Sequence, residues 1–192
     1  MFGENVSSAD NQQERVPKES ENLNYYIAGF VDGEGCFSIS ICHQKNSVLG
    51  WKMDPFFQVY QHRDNSKILY IIKDVLGCGY ISEKGGNPVC FVYCADKIRD
   101  ILTTVIPFFE RYPLIGEKYN NFLLFKHIVA EISQKKHLTS KGFIELAKKA
   151  FQMNRGGKYR KNSLESIINS LEQSSENIRR TSTPVEDDIV RP

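Results

Sequence analysis

Two carboxylates, Asp32 and Glu34, close the segment Tyr26 to Gly35, which reads YIAGFVDGEG and holds, one turn before them, an adjacent pair with almost no side chain, Ala28 and Gly29. Carboxylate oxygens are hard donors of the kind that Mg²⁺ prefers, yet one acid alone holds a divalent ion poorly. The small residues change that prospect. At Ala28 and Gly29 a second helix can approach closely, so that two acid-bearing helix ends meet across a twofold axis and share an ion. The plainer account is that Asp32 caps a chain reversal and Glu34 sits in an exposed turn. Cysteine offers no rival centre. Cys36, Cys42, Cys78, Cys90 and Cys94 are odd in number and form no CxxC pair, which fits neither a disulfide framework nor a zinc ribbon. Cys90 and Cys94 with His43 lack a second ligand pair, so all five thiols are expected to be reduced and structural.

The net charge of +2 conceals a segregation along the chain. Residues 1–22 hold five acids and two bases, and residues 175–192 hold four acids and three bases, which leaves +6 between them. Residues 135–161 carry nine Lys or Arg against one acid, Glu145. Such a cluster is the footprint expected of a surface that meets phosphates, although a solvated helix face followed by a basic loop would read the same way. With 41% hydrophobic and 25% charged residues, the chain reads as one folded domain with tails. No apolar run approaches the roughly 18 residues of a membrane span, and no basic start or apolar signal core opens the N-terminus. A soluble protein without a membrane partner, acting where it is made, is expected.

The elements that must position the acids are legible from period. Residues 1–21 and 175–192 lack one and read as mobile tails. Asn22 or Asn24 can cap a short helix running to about Asp32 and ended by Gly33 and Gly35. From Cys36 the period becomes two, with Phe37, Ile39 and Ile41 facing one way and Ser38, Ser40 and Gln44 the other. A second strand, about Met53 to Gln61, alternates Phe57 and Val59 with Gln58 and Tyr60. Asp64 starts a helix with an Ile68, Ile71, Ile72, Val75 stripe, and Gly77 stops it. Strands near 79–83 and 89–94 follow, then a helix from Asp96 that ends at Pro107. Helical patterns over about 116–133, 140–153 and 163–171 complete the chain. The order αββαββα followed by further helices defines an α+β fold, with a core over 22–134 and a basic helical extension over 135–174.

The segment YIAGFVDGEG resembles the signature of the LAGLIDADG homing endonucleases, with Ile27 to Gly35 in register with its nine positions and Glu34 where the family usually has Asp. The likeness covers roughly residues 22–161. FQVYQ, Phe57 to Gln61, is similar to the family's second-strand segment, which implies that Gln61 helps order active-site water. YPLIGEKYNNFLLFK, Tyr112 to Lys126, is similar to the segment with the catalytic-pocket lysine, which implies that role for Lys118, with Lys126 the alternative. HLTSKGFIELAKKAFQMNRGGKYRK, His137 to Lys161, resembles the C-terminal portion of organellar and bacterial members. The arginine that often accompanies the Gln has no match, since Asn65 stands at its spacing and Arg63 lies nearby.

The resemblance implies the αββαββα LAGLIDADG homing endonuclease fold and a site-specific double-strand DNA endonuclease. No second copy of the motif occurs, so a homodimer and a long, roughly palindromic site are expected. By the resemblance, Glu34 and Gly33 are expected to be the metal ligands, with Mg²⁺ as cofactor and Mn²⁺ or Ca²⁺ as substitutes; Glu34, Gln61 and Lys118 are expected to be the catalytic residues; Ala28 and Gly29 are expected to form the dimer interface. On the sheet face opposite the helices, Ser38, Ser40, Gln44, Gln58, Tyr60, Ser82 and Lys84 are expected to meet base edges. Lys135, Lys136, Arg155, Lys158, Arg160 and Lys161 are expected to meet phosphates. The resemblance further implies short 3′ overhangs and mobility of a host intron or intein, in a bacterial cytoplasm or organelle. An intron-RNA maturase with its own intron RNA as partner, or a non-catalytic DNA-binding descendant of the fold, is the alternative.

Overall fold

The computed structural model describes the backbone over residues 15–154 and 160–181 and side chains over 20–154 and 160–173. The first helix, α1 (Arg15–Glu34), is longer at both ends than its sequence cues suggest. Arg15, Lys18, Glu19 and Glu21 favour helix, and Pro17 lies in the first turn, where its missing N–H costs nothing. At the other end, burial of Ile27, Ala28 and Val31 fixes a helical face that carries the backbone through Gly33. Gly35 then starts β1 (Gly35–His43) with no intervening loop. A Cβ there would stand 2.5 Å from Val31 Cγ1 and 2.8 Å from the Val31 carbonyl, so the direct change from helix to strand needs glycine.

β1, β2 (Trp51–His62), β3 (Tyr80–Lys84) and β4 (Asn87–Ala95) form a four-stranded sheet in the order β1-β2-β4-β3. β2 and β3 both pair antiparallel with β4, placing Gln58 opposite Cys94 and both Tyr60 and Ser82 opposite Val92. The chain divides into two compact units that interleave in sequence. One joins the described part of Met1–Phe37 to Phe56–Leu123, and the other joins Ser38–Pro55 to the described part of Leu124–Pro192. This division departs from a boundary at 134/135, because residues distant in sequence supply each unit's core.

In the first unit, Phe37 stacks on Phe57 at 4.8 Å and meets Phe109 and Phe122 edge-on or tilted, both at 5.3 Å. All four rings are buried, and truncating one to alanine costs about 3–5 kcal/mol. This cluster begins three positions beyond Glu34 and therefore anchors the end of α1. α2 (Lys67–Leu76) adds buried Leu69 and Ile72. Pro107 does not end the next helix. α3 (Ile98–Asp100) passes through a π-helical turn, Ile101–Val105, into α4 (Ile106–Arg111). The widened turn, in which the Ile106 N–H reaches the Ile101 carbonyl, makes room for the proline ring that would otherwise clash one turn back.

In the second unit, the later part of α5 (Lys118–Ser133) buries Phe125, Ile128, Val129 and Ile132. α6 (Ser140–Gln152) is capped by Thr139, whose Oγ1 accepts from Gly142 N at 3.1 Å, and packs against α7 (Leu164–Thr181). α7 continues beyond 175, where a tail was expected; residues 1–14 and 182–192, the rest of the expected tails, lie outside the described residues. No described helix is long and apolar enough to cross a membrane.

Candidate active site

The last turn of α1 leaves carbonyls without intrahelical partners and carries the negative end of the helix dipole. Lys118, the first residue of α5, answers both: its Nζ donates to the Val31 and Gly33 carbonyls, each at 3.0 Å. In return Asp32 Oδ2, on α1, accepts the backbone N–H groups of Ile115 at 3.0 Å and Gly116 at 2.8 Å, in the turn leading into α5. Two segments more than 80 residues apart are thereby clasped in both directions. Burial pushes the Lys118 ammonium below the ordinary lysine value, opposed by the charges of Cys36, Asp32 and Glu34. Cys36 responds in kind, its thiol raised by burial and eased back by Lys118.

The clasp leaves Glu34 as the exposed carboxylate at the end of α1, beside exposed Gly33. Asp32 is thus occupied with the Ile115–Gly116 turn, a long-range contact that a local reading as cap of the chain reversal does not anticipate. The Gly33 carbonyl, expected to bind metal, already accepts from Lys118 and retains one lone pair. Among the described residues no group of three or more His, Cys, Asp or Glu is assembled. Glu34 and Gly33 together offer hard oxygen donors, which fit Mg²⁺ in kind but make only part of an octahedral coordination shell.

Gln61 is engaged locally, its Oε1 accepting from His62 N at 2.8 Å, and shares the strand parity of buried Phe57 and Val59. Arg63 pairs with Glu83 at 2.7 Å and lies over the Phe91 ring. Ala28, expected at a dimer interface, is 3% exposed within its own chain and so offers a partner almost no surface. Gly29 is exposed, and a Cβ built there meets nothing within 4 Å. Tyr25 and Tyr26, on the same helix, are 56% and 60% exposed.

Of the residues expected to face bases, Gln58, Tyr60 and Lys84 form a connected set in the first unit, and Ser82 stands opposite Val92 on β4. The Tyr60 hydroxyl donates to Gln58 Oε1 at 2.7 Å, Gln58 Nε2 lies 3.5 Å from Cys94 Sγ, and Lys84 Nζ sits 4.9 Å above the Tyr60 ring. In the second unit, Ser38 and Ser40 alternate with buried Ile39, while Gln44 lies past the end of β1 in the turn that its N–H closes onto the Gly50 carbonyl. Lys161 is exposed, and Arg155 and Lys158 lie outside the described residues. Lys136 pairs with Glu131 at 2.5 Å and Lys135 is exposed. Arg160 departs from the expectation of a phosphate contact: its guanidinium donates to the Ile39 carbonyl at 2.7 Å and the Ala150 carbonyl at 2.8 Å.

A helix ending in an acid, leading straight into a strand and locked by a lysine, coincides with the residues that a LAGLIDADG endonuclease family model matches, 27–129, just over half of the chain. The chain belongs to the LAGLIDADG endonuclease family. The homing endonuclease I-ApeII of Aeropyrum pernix is 30% identical over 150 residues, which cover 76% of this chain and 88% of that protein. Probable intron-encoded endonuclease 3 of Neurospora crassa is 33% identical over 129 residues, 67% of this chain, while the chain spans only 24% of that relative's length. A solved structure of the archaeal intron-encoded homing endonuclease I-Vdi141I complexed with DNA matches with a TM-score of 0.76 and 31% identity, covering 82% of this chain and 99% of that one. The αββαββα order is accordingly that of the LAGLIDADG homing endonuclease fold.

Proposed function

We propose that this LAGLIDADG chain is a site-specific, metal-dependent DNA endonuclease that acts as a homodimer and hydrolyses a phosphodiester in each strand of a long pseudo-palindromic site. The observation that carries the reading is the clasp made by Asp32 and Lys118, which spends one motif acid on the Ile115–Gly116 turn leading to the lysine and leaves the other, Glu34, exposed at the helix end. The open face at Gly29, with exposed Tyr25 and Tyr26 on the same helix, suits the approach of a second α1 that would bring a second Glu34 beside the first. Glu34 and the Gly33 carbonyl of each subunit would then hold Mg²⁺ between them. When bound, such ions activate water and stabilise the leaving oxygen. Lys118 holds positive charge at its Nζ beside that site, where it offsets charge gathering on the phosphate. Gln61 would orient water, with its amide released from His62 when DNA binds.

The strands supply readers of base edges in Ser38, Ser40, Gln58, Tyr60, Ser82 and Lys84, with Gln44 just past β1, and exposed Lys161 would meet phosphates. The DNA-bound structure of I-Vdi141I and the relatives described as intron-encoded endonucleases support DNA as the partner and an intron as the host. The test is incubation of the purified chain with a randomised duplex library in Mg²⁺, followed by sequencing of cleaved ends. Ends that pair across a short offset within one twofold-symmetric site are expected. Intact duplexes in Mg²⁺ and in Mn²⁺ would overturn the reading and turn attention to binding of intron RNA.

A further inference from the structure

β1 is the edge strand of the sheet, so alternate carbonyls along its outer side have no neighbouring strand to pair with. Two of them, at Ile39 and Ile41, are taken by side chains two residues apart. Arg160 Nη1 donates to the Ile39 carbonyl at 2.7 Å, and Asn162 Nδ2 reaches the Ile41 carbonyl at 3.5 Å, the long limit of a hydrogen bond. The matching step of two shows the segment running alongside the strand at its own period. Arg160 also reaches in a second direction, from Nη2 to the Ala150 carbonyl at 2.8 Å, near the C-terminus of α6. Its guanidinium lies 4.8 Å from the centre of the Phe151 ring, and its Nε is buried with no partner among the described residues. Burial pulls the guanidinium below its ordinary value. An arginine meant for phosphates would keep its fork free and solvated; this one is desolvated and spent on two carbonyls of its own chain.

The geometry points to Arg160 as a positioning residue for sequence discrimination: it clamps the edge of β1 to the end of α6 and thereby sets the height and direction from which Ser38 and Ser40 meet bases. The inference rests on the reading of β1 as a base-reading strand. Ser38 and Ser40 flank Ile39 in sequence, so a shift of the Ile39 carbonyl moves both hydroxyls. The planar guanidinium presents donors on two separate nitrogens, one to each element, a spread that the compact ammonium of a lysine, with all its donors on one atom, does not match.

The experiment compares the full-length wild type with Arg160→Lys, Arg160→Ala, Ser40→Ala and Ser38→Ala on a randomised duplex library, together with the salt dependence of binding to a non-target duplex and thermal melts. The serine variants identify the base pairs that β1 reads. At those same pairs, Arg160→Lys and Arg160→Ala should each lower discrimination by about fivefold or more, with other pairs untouched and an unchanged slope of log affinity against log salt. Should Arg160→Ala not fold, Arg160→Lys carries the test, because it keeps the charge and removes the fork. Serine variants that change base preference beside Arg160 variants that do not would overturn the role of Arg160 alone. A salt slope shallower by about 1 in Arg160→Ala but not Arg160→Lys would return Arg160 to phosphate binding. Unchanged base preference in both serine variants would overturn the reading of β1 and, with it, the role of Arg160.

Discussion

Asp32 and Glu34 are chemically alike and two positions apart, yet their surroundings give them different work. Asp32 accepts two backbone N–H groups from the Ile115–Gly116 turn, whereas Glu34 stands exposed beyond it. Replacing Glu34 by Gln removes a ligand charge with little change in volume, so cleavage should be abolished while specific binding survives. Near-normal cutting by Glu34→Gln in a plasmid-nicking assay would remove Glu34 from the chemistry. Asp32→Ala acts indirectly. It frees the turn into α5, and with it Lys118, and a misplacement of about 1 Å is enough to slow cutting by about 10²-fold. Single-turnover rates should fall with little loss of DNA affinity, and a large affinity loss with an unchanged rate would show that the turn serves binding instead.

Elements show where local signals yielded to packing. Gly33 and Pro107 both read as helix ends, but buried Ile27 and Val31 carry α1 past the first, and a π-helical turn carries the helix past the second. His137, in the turn between α5 and α6, adds a pH dependence at this scale. A ring N–H donates to the Ile132 carbonyl, Nδ1 is buried without a partner among the described residues, and burial holds the imidazole below its ordinary value. The folded state therefore favours the neutral ring, while the unfolded chain takes up a proton near pH 6.5. Its contribution to stability is full above about pH 6.5 and is lost as pH falls through the lower folded value. His137→Gln should flatten the fall of melting temperature below that pH; a slope equal to that of wild type would assign the acid sensitivity to other groups.

For the whole molecule, the open face of α1 makes assembly testable without ambiguity. A Cβ at Gly29 meets nothing within 4 Å, so a leucine fits the single chain and should raise its helix stability by several tenths of a kcal/mol. Gly29→Leu should therefore melt no lower than wild type as a monomer, while sedimentation shows a lost or weakened dimer and cleavage disappears with Glu34 untouched. A wild-type protein that sediments as a monomer and cuts both strands would end the symmetric-site proposal.

The motif Ile27 to Gly35, the period-two strands and the order αββαββα were legible because each is written in neighbouring residues: small side chains, alternation and glycine stops. The resemblance that those local signals carry named the family and pointed to Glu34. They could not show what Asp32 does, since the Ile115–Gly116 turn that claims it lies more than 80 residues away. Nor could they separate Gly29 from Ala28, two small neighbours that fall on different sides of α1 once Ile27 and Val31 are buried. Arg160 sits within the most basic stretch of the chain and reads by composition as a phosphate contact. Its fate was decided by the carbonyls of Ile39 and Ala150, because hydrogen bonding across the fold depends on distances that spacing along the chain does not encode.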